Sequence, residues 1–93
     1  MVRDAVPRHE ILQLAHRHGV LNVRVFGSVA RGEATAASDL DLLVRMAPGR
    51  SLFDLVAFSQ AVEDRLGHAV DVVTEGEVSP FLRDRIIAEA IPL

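Results

Sequence analysis

The sequence predicts an α/β domain: a small mixed sheet with helices on one face and the other face open. Two observations lead there. The 93-residue chain alternates short runs rich in Val and Leu with longer segments of helical period, the order expected when helices pack on a sheet. Acids also enter the apolar runs at alternate positions: Asp39 and Asp41 in one, Asp71 in another. Side chains two apart on a strand point to the same face. The three acids are therefore expected on the open face, and Leu40, Leu42, Val44, Val70 and Val72 on the covered one.

Residues 6–18 read as the first helix. Pro7 suits its first turn, and Ile11, Leu14, Ala15 and His18 follow helical spacing. His16 and His18 are two apart, whereas helical metal pairs want i, i+4 spacing, so a plain helix end is expected, stopped by Gly19. Residues 20–26 form the first strand, with Leu21, Val23 and Val25 on one face and Asn22, Arg24 and Phe26 on the other. A helical turn over 28–32 and a loop of small residues lead to the second strand, 39–46. Ser51 and Asp54 resemble a capping box for a long helix. Its inner stripe is expected to be Leu52, Leu55, Val56, Ser59, Val62 and Leu66, with Phe53, Phe58 and Ala61 spreading beyond it. Gly67 stops that helix, 69–74 form the third strand, and 75–78 a loop. Ser79 and Pro80 open a final helix. It is expected to turn Leu82, Ile86, Ala90 and Phe81 inward, to carry Arg83, Asp84, Arg85 and Glu89 as an ordinary charged face, and to end at Pro92. The connection between the second and third strands is long enough for a right-handed crossover. They should therefore be parallel neighbours, with Asp71 beside Asp39 and Asp41.

Bulk properties exclude several classes. No cysteine is present, so there is neither a disulfide framework nor a thiolate metal site. A formal net charge of −3 argues against broad electrostatic binding to nucleic acid. Trp and Tyr are absent and Phe is scarce, so base-stacking platforms are not expected. There is no apolar run of membrane-spanning length. The first residues carry Asp4, His9 and Glu10 rather than a signal core. A single domain over residues 1–93 in the cytoplasm is the expectation.

The chemistry concentrates in two stretches. Gly27 permits a sharp turn and close approach of a ligand, and Ser28 opens a helical turn whose N–H groups suit a phosphate. Arg31 lies one turn on, and reads equally as a contact for a triphosphate or as a solvated helix residue. Asp39 and Asp41 then stand about 6.6 Å apart along a strand, close enough to share bound metal. Two acids at the start of a strand oppose both propensity and mutual repulsion. An acid at position 71 inside an apolar strand is costly unless a cation meets it or the strand is an edge that leaves the acid exposed. Three carboxylates on one face suit two Mg²⁺ ions about 3.5–4 Å apart, gripping the attacking and leaving oxygens of a phosphoryl transfer.

Gly27-Ser28, then Ala30-Arg31-Gly32, then Ser38-Asp39-Leu40-Asp41 resembles the signature of the polymerase β-like nucleotidyltransferase superfamily, and most closely its minimal nucleotidyltransferase (MNT) branch. The resemblance implies the polymerase β-like fold, with Asp39, Asp41 and Asp71 as catalytic, metal-binding acids. It also implies a nucleotide site at Gly27, Ser28, Arg31 and Ser38, with ATP as donor and two Mg²⁺ as cofactors. MNT domains are often antitoxins of HEPN ribonuclease toxins. The implied activity is transfer of AMP to a tyrosine hydroxyl on that partner, with pyrophosphate release. No second domain for acceptor binding is visible, so the partner is expected to bring the acceptor. The alternatives are a non-catalytic binding antitoxin or regulatory module, and the donor half of a small-molecule adenylyltransferase.

Overall fold

Two seven-residue strands, β1 (Val20–Phe26) and β2 (Leu40–Met46), pair antiparallel at the centre of a four-stranded sheet. The computed structural model describes residues 7–35 and 39–93. β3 (Val70–Thr74) joins β2 in parallel, and β4 (Ile91–Pro92) joins the far side of β1 antiparallel, giving the order β3-β2-β1-β4. The helices are α1 (Arg8–Arg17), the one-turn α2 (Gly27–Ala30), α3 (Leu52–Leu66) and α4 (Pro80–Glu89). The expected mixed sheet and the parallel β2–β3 pair are both present.

The core lies where β1, β2 and β3 meet α1 and α3. Leu40, Leu42 and Val44 project from β2, Val23 and Val25 from β1, and Val70 from β3; Val72 is only partly buried, at the edge of the cluster. Ile11 and Ala15, four apart on α1, close over them. Gly19 turns the chain out of α1 at φ +75° and accepts Ala47 N–H at 2.8 Å, tying that turn to the end of β2. His18 packs its ring against Phe58, with centroids 6.4 Å apart.

Three expectations are corrected. Leu21 is exposed, because β1 carries a bulge: Val20 faces Met46 and Asn22 faces Arg45, leaving Leu21 as the extra residue. A bulge flips the side chains behind it, so Val20 takes the core position expected of Leu21. On α3 the buried stripe is Leu55, Phe58 and Val62, while Leu52 and Val56 are exposed. Phe58, expected beyond the stripe, is fully buried, whereas Phe53 is exposed. The capping box does form, with Ser51 N–H donating to Asp54 at 2.9 Å, so the start of the helix is as expected and its rotation is not. On α4 no residue is fully buried: Phe81 is 96 % and Leu82 49 % exposed.

The C-terminal segment also differs. α4 ends at Glu89, not Pro92. Ala90 turns to extended backbone, Ile91 and Pro92 pair with Val25 and Arg24, and Leu93 N–H donates to Val23 O at 3.1 Å. A proline is tolerated there because β4 is an edge strand.

The face opposite the helices is only partly open. Leu43 lies on it, in register with Arg24 and Val73, yet is fully buried. Arg24 on β1 donates to Glu75, which opens the 3-10 turn Glu75–Glu77 after β3. The pair spans β2 at the level of Leu43. The uncovered part of the face is the row above, at the acids. Among the described residues no helix is long and apolar enough to cross a membrane.

Candidate active site

The end of β1 sets the site. Phe26 is extended, and Gly27 follows at φ +73°, a conformation open to glycine at little cost. A Cβ at position 27 would also overlap the Asp41 carboxylate. Position 27 is thus restricted twice, by backbone angle and by the close approach of Asp41. The turn leads directly into α2, whose Val29 is buried in the core and anchors it. Ser28 is half-buried at its start.

β2 and β3 place the acids. Asp41 sits opposite Phe26 on β1 and in register with Asp71 on β3. Parallel register puts Asp71 on the same face as Asp41, as expected from the crossover. β3 is an edge strand and Asp71 is exposed; Asp41, on the central strand, is partly buried. Asp39 is exposed just before β2 begins. The expected contribution of Ser38 falls outside the described residues.

The electrostatics follow from this placement. The Asp41 carboxyl is pushed up from 3.8 to about 6, first by burial, then by the charge of Asp71, by a hydrogen bond with Asp71, and by the charge of Asp39; Arg31 opposes the shift. Burial and the charges of the neighbouring acids therefore favour the protonated form of Asp41 when no cation is near. A divalent cation is the natural replacement for that proton, and carboxylate oxygens are the hard donors that Mg²⁺ prefers. Among the described residues no group of three or more His, Cys, Asp or Glu side chains is arranged to hold a metal ion by itself. The Asp41–Asp71 pair with Asp39 beside it fits an ion that takes its remaining ligands from triphosphate and water.

Arg31 and the turn have partners that sequence reasoning missed. Glu89, at the end of α4, accepts Gly27 N–H at 3.0 Å and Arg31 Nη1 at 3.2 Å. Glu33 accepts Arg31 Nε at 2.7 Å. Arg31 is therefore ion-paired to two acids rather than a free solvated cation. Nothing local marked Glu89: it sits 62 residues from Gly27, in a helix whose charges looked ordinary.

The family model of a nucleotidyltransferase domain matches residues 10–93. The chain belongs to the nucleotidyltransferase domain family. A solved structure provisionally described as a minimal nucleotidyltransferase is 52 % identical, with a TM-score of 0.83, covering 92 % of this nucleotidyltransferase domain and 88 % of that chain. A Methanocaldococcus jannaschii protein provisionally named a protein adenylyltransferase is 42 % identical over 90 % of both chains. The protein adenylyltransferase MntA of Thermococcus cleftensis is 33 % identical over 85 % of this chain and 80 % of its own. A toxin–antitoxin complex with AMP-PNP shares the fold at 20 % identity, with a TM-score of 0.77 over 92 % of this chain and 71 % of that one. The nucleotidyltransferase domain is thus a minimal one of the polymerase β-like fold, as the Gly27-Ser28 and Asp39–Asp41 pattern implied.

Proposed function

We propose that this nucleotidyltransferase acts as a single minimal domain in the cytoplasm, transferring AMP from ATP to a tyrosine hydroxyl of a HEPN ribonuclease and silencing it as an antitoxin. The observation that carries the reading is the register of Asp41 with Asp71 beside the Gly27–Ser28 turn. The Gly27–Ser28 turn and the acid pair lie close together, which supports reading the turn as the holder of the donor's phosphates.

Gly27 and Ser28 hold the β- and γ-phosphates of the donor through backbone N–H and hydroxyl, and Arg31 adds positive charge beside them. Asp39, Asp41 and Asp71 would hold Mg²⁺ together with oxygens of the triphosphate and water. When bound, the metal neutralises phosphate charge and favours the ionised form of an attacking hydroxyl. Asp71, exposed at the sheet edge, meets the acceptor. Its carboxylate takes the hydroxyl proton as the tyrosine oxygen attacks the α-phosphorus. The bond between the α-phosphorus and its bridging oxygen breaks, and pyrophosphate leaves.

The acceptor comes from a second protein. The relative named MntA is a protein adenylyltransferase, and one structure sharing the fold is an AMPylated HEPN toxin in complex with an MNT antitoxin. Both support carrying that arrangement to this chain. Exposed Phe53 and Phe81 offer apolar surface of the kind a partner covers. AMP on the ribonuclease adds bulk and negative charge that would exclude RNA.

The test incubates the protein with a candidate HEPN partner, ATP and Mg²⁺ and weighs the partner by mass spectrometry. The expected result is a gain of AMP that disappears in Asp41→Asn. Neutralisation of the ribonuclease without a mass gain, unchanged in Asp41→Asn, would establish a binding antitoxin instead.

A further inference from the structure

Glu89 occupies an unexpected place. It is the last residue of α4, yet its Oε1 accepts the Gly27 N–H at 3.0 Å, and both of its oxygens lie 3.2 and 3.4 Å from Arg31 Nη1. Its side chain is only 21 % exposed. A backbone N–H and a guanidinium converging on one oxyanion are the donors that otherwise meet a phosphate oxygen. A carboxylate there and a triphosphate cannot both use these donors: the oxygens would compete for one N–H, and the two negative charges would repel at short range.

We infer that Glu89 is a built-in competitor for the donor's phosphates: it holds Gly27 and Arg31 in the nucleotide-free chain and is displaced when triphosphate binds. The inference rests on the proposed reading that Gly27 and Arg31 serve the nucleotide. Displacement frees Arg31 from one of its two acids, leaving Glu33. The movement is small and mechanically inexpensive, because α4 has no fully buried residue to pull from the core. The segment beyond Glu89 stays fixed through the pairing of Ile91 and Pro92 with β1. Glu89 thereby sets nucleotide affinity without belonging to the acid row.

The experiment titrates the full chain calorimetrically with Mg²⁺–ATP, Mg²⁺–tripolyphosphate and adenosine, comparing wild type, Glu89→Ala and Glu89→Gln. Both variants are expected to bind ATP and tripolyphosphate at least fivefold more tightly, Glu89→Ala more than Glu89→Gln, with adenosine binding unaffected. Glu89→Gln keeps an acceptor for Gly27 N–H, so it decides the matter if Glu89→Ala melts early. Unchanged or weaker tripolyphosphate binding in the folded variants overturns the inference. If the gain is present but no AMP reaches a partner, the transfer reading falls and the competitor stands. If AMP transfer proceeds with no gain, the competitor falls alone. Absence of triphosphate binding in every variant removes both.

Discussion

Gly27 and Asp41 constrain each other. The glycine has φ +73°, and the space where its Cβ would stand is taken by the Asp41 carboxylate. An L-residue in the left-handed region costs about 1–2 kcal/mol, and a methyl here must also move the acid. Gly27→Ala is therefore expected to lower stability by about that amount and to weaken ATP binding more than tenfold, read by thermal melting and calorimetry. Asp41 makes a pH prediction. Its carboxyl titrates near 3.8 unfolded and at about 6 folded, so the folded chain binds this proton more tightly. The stabilisation is complete below the unfolded value and lost as pH rises through about 6. The nucleotide-free protein should then lose stability, relative to Asp41→Asn, between about pH 4 and about pH 6.5. Mg²⁺–ATP affinity should rise over the same interval, because the cation displaces the proton. A wild-type-to-variant melting difference that stays flat across that range would contradict the raised titration of Asp41.

At the scale of elements, what could be read in advance was whatever a short window encodes. Gly19, Gly67, Ser51 with Asp54, and Ser79 with Pro80 mark element ends by local chemistry, and each marks one in the fold. The rotation of α3 was not local. Leu52, Val56 and Phe58 are all apolar, so the helix has no single apolar stripe to read; the sheet beneath selects Leu55, Phe58 and Val62. The bulge at Leu21 and the two-residue β4 are likewise set by pairing with a distant strand, not by propensity. Unfolding measurements separate the two sides of α3. Phe58→Ala opens a cavity at a fully buried position and is expected to cost about 3–5 kcal/mol. Phe53→Ala, at a site 87 % exposed, is expected to stay within about 0.5 kcal/mol. Denaturant curves giving the reverse order would contradict the burial of Phe58 in the core.

Over the whole molecule, the acid row was legible because its members are signalled by strand alternation and brought together by a parallel crossover. Glu89 was not, because a carboxylate in a charged helix carries no mark of the turn it reaches. On the proposed reading, the same topology separates donor from acceptor. Asp41 lies on a central strand beside the Gly27 turn, whereas Asp71 lies exposed on the edge strand β3. If the acceptor hydroxyl arrives from a partner at that edge, losing the Asp71 charge should harm transfer far more than donor binding. Asp71→Asn preserves shape and should also remove the repulsion that raises Asp41, so the fold is expected to remain intact. ATP binding should stay within about threefold, since the turn, Arg31, Asp39 and Asp41 are untouched. AMP transfer to the partner should fall by at least a hundredfold, the scale on which a positioned acid–base group acts. The complex with the partner should still form. Single-turnover transfer and sedimentation of the complex, run on one preparation, would distinguish this from a collapse of the donor site, in which binding and transfer fall together.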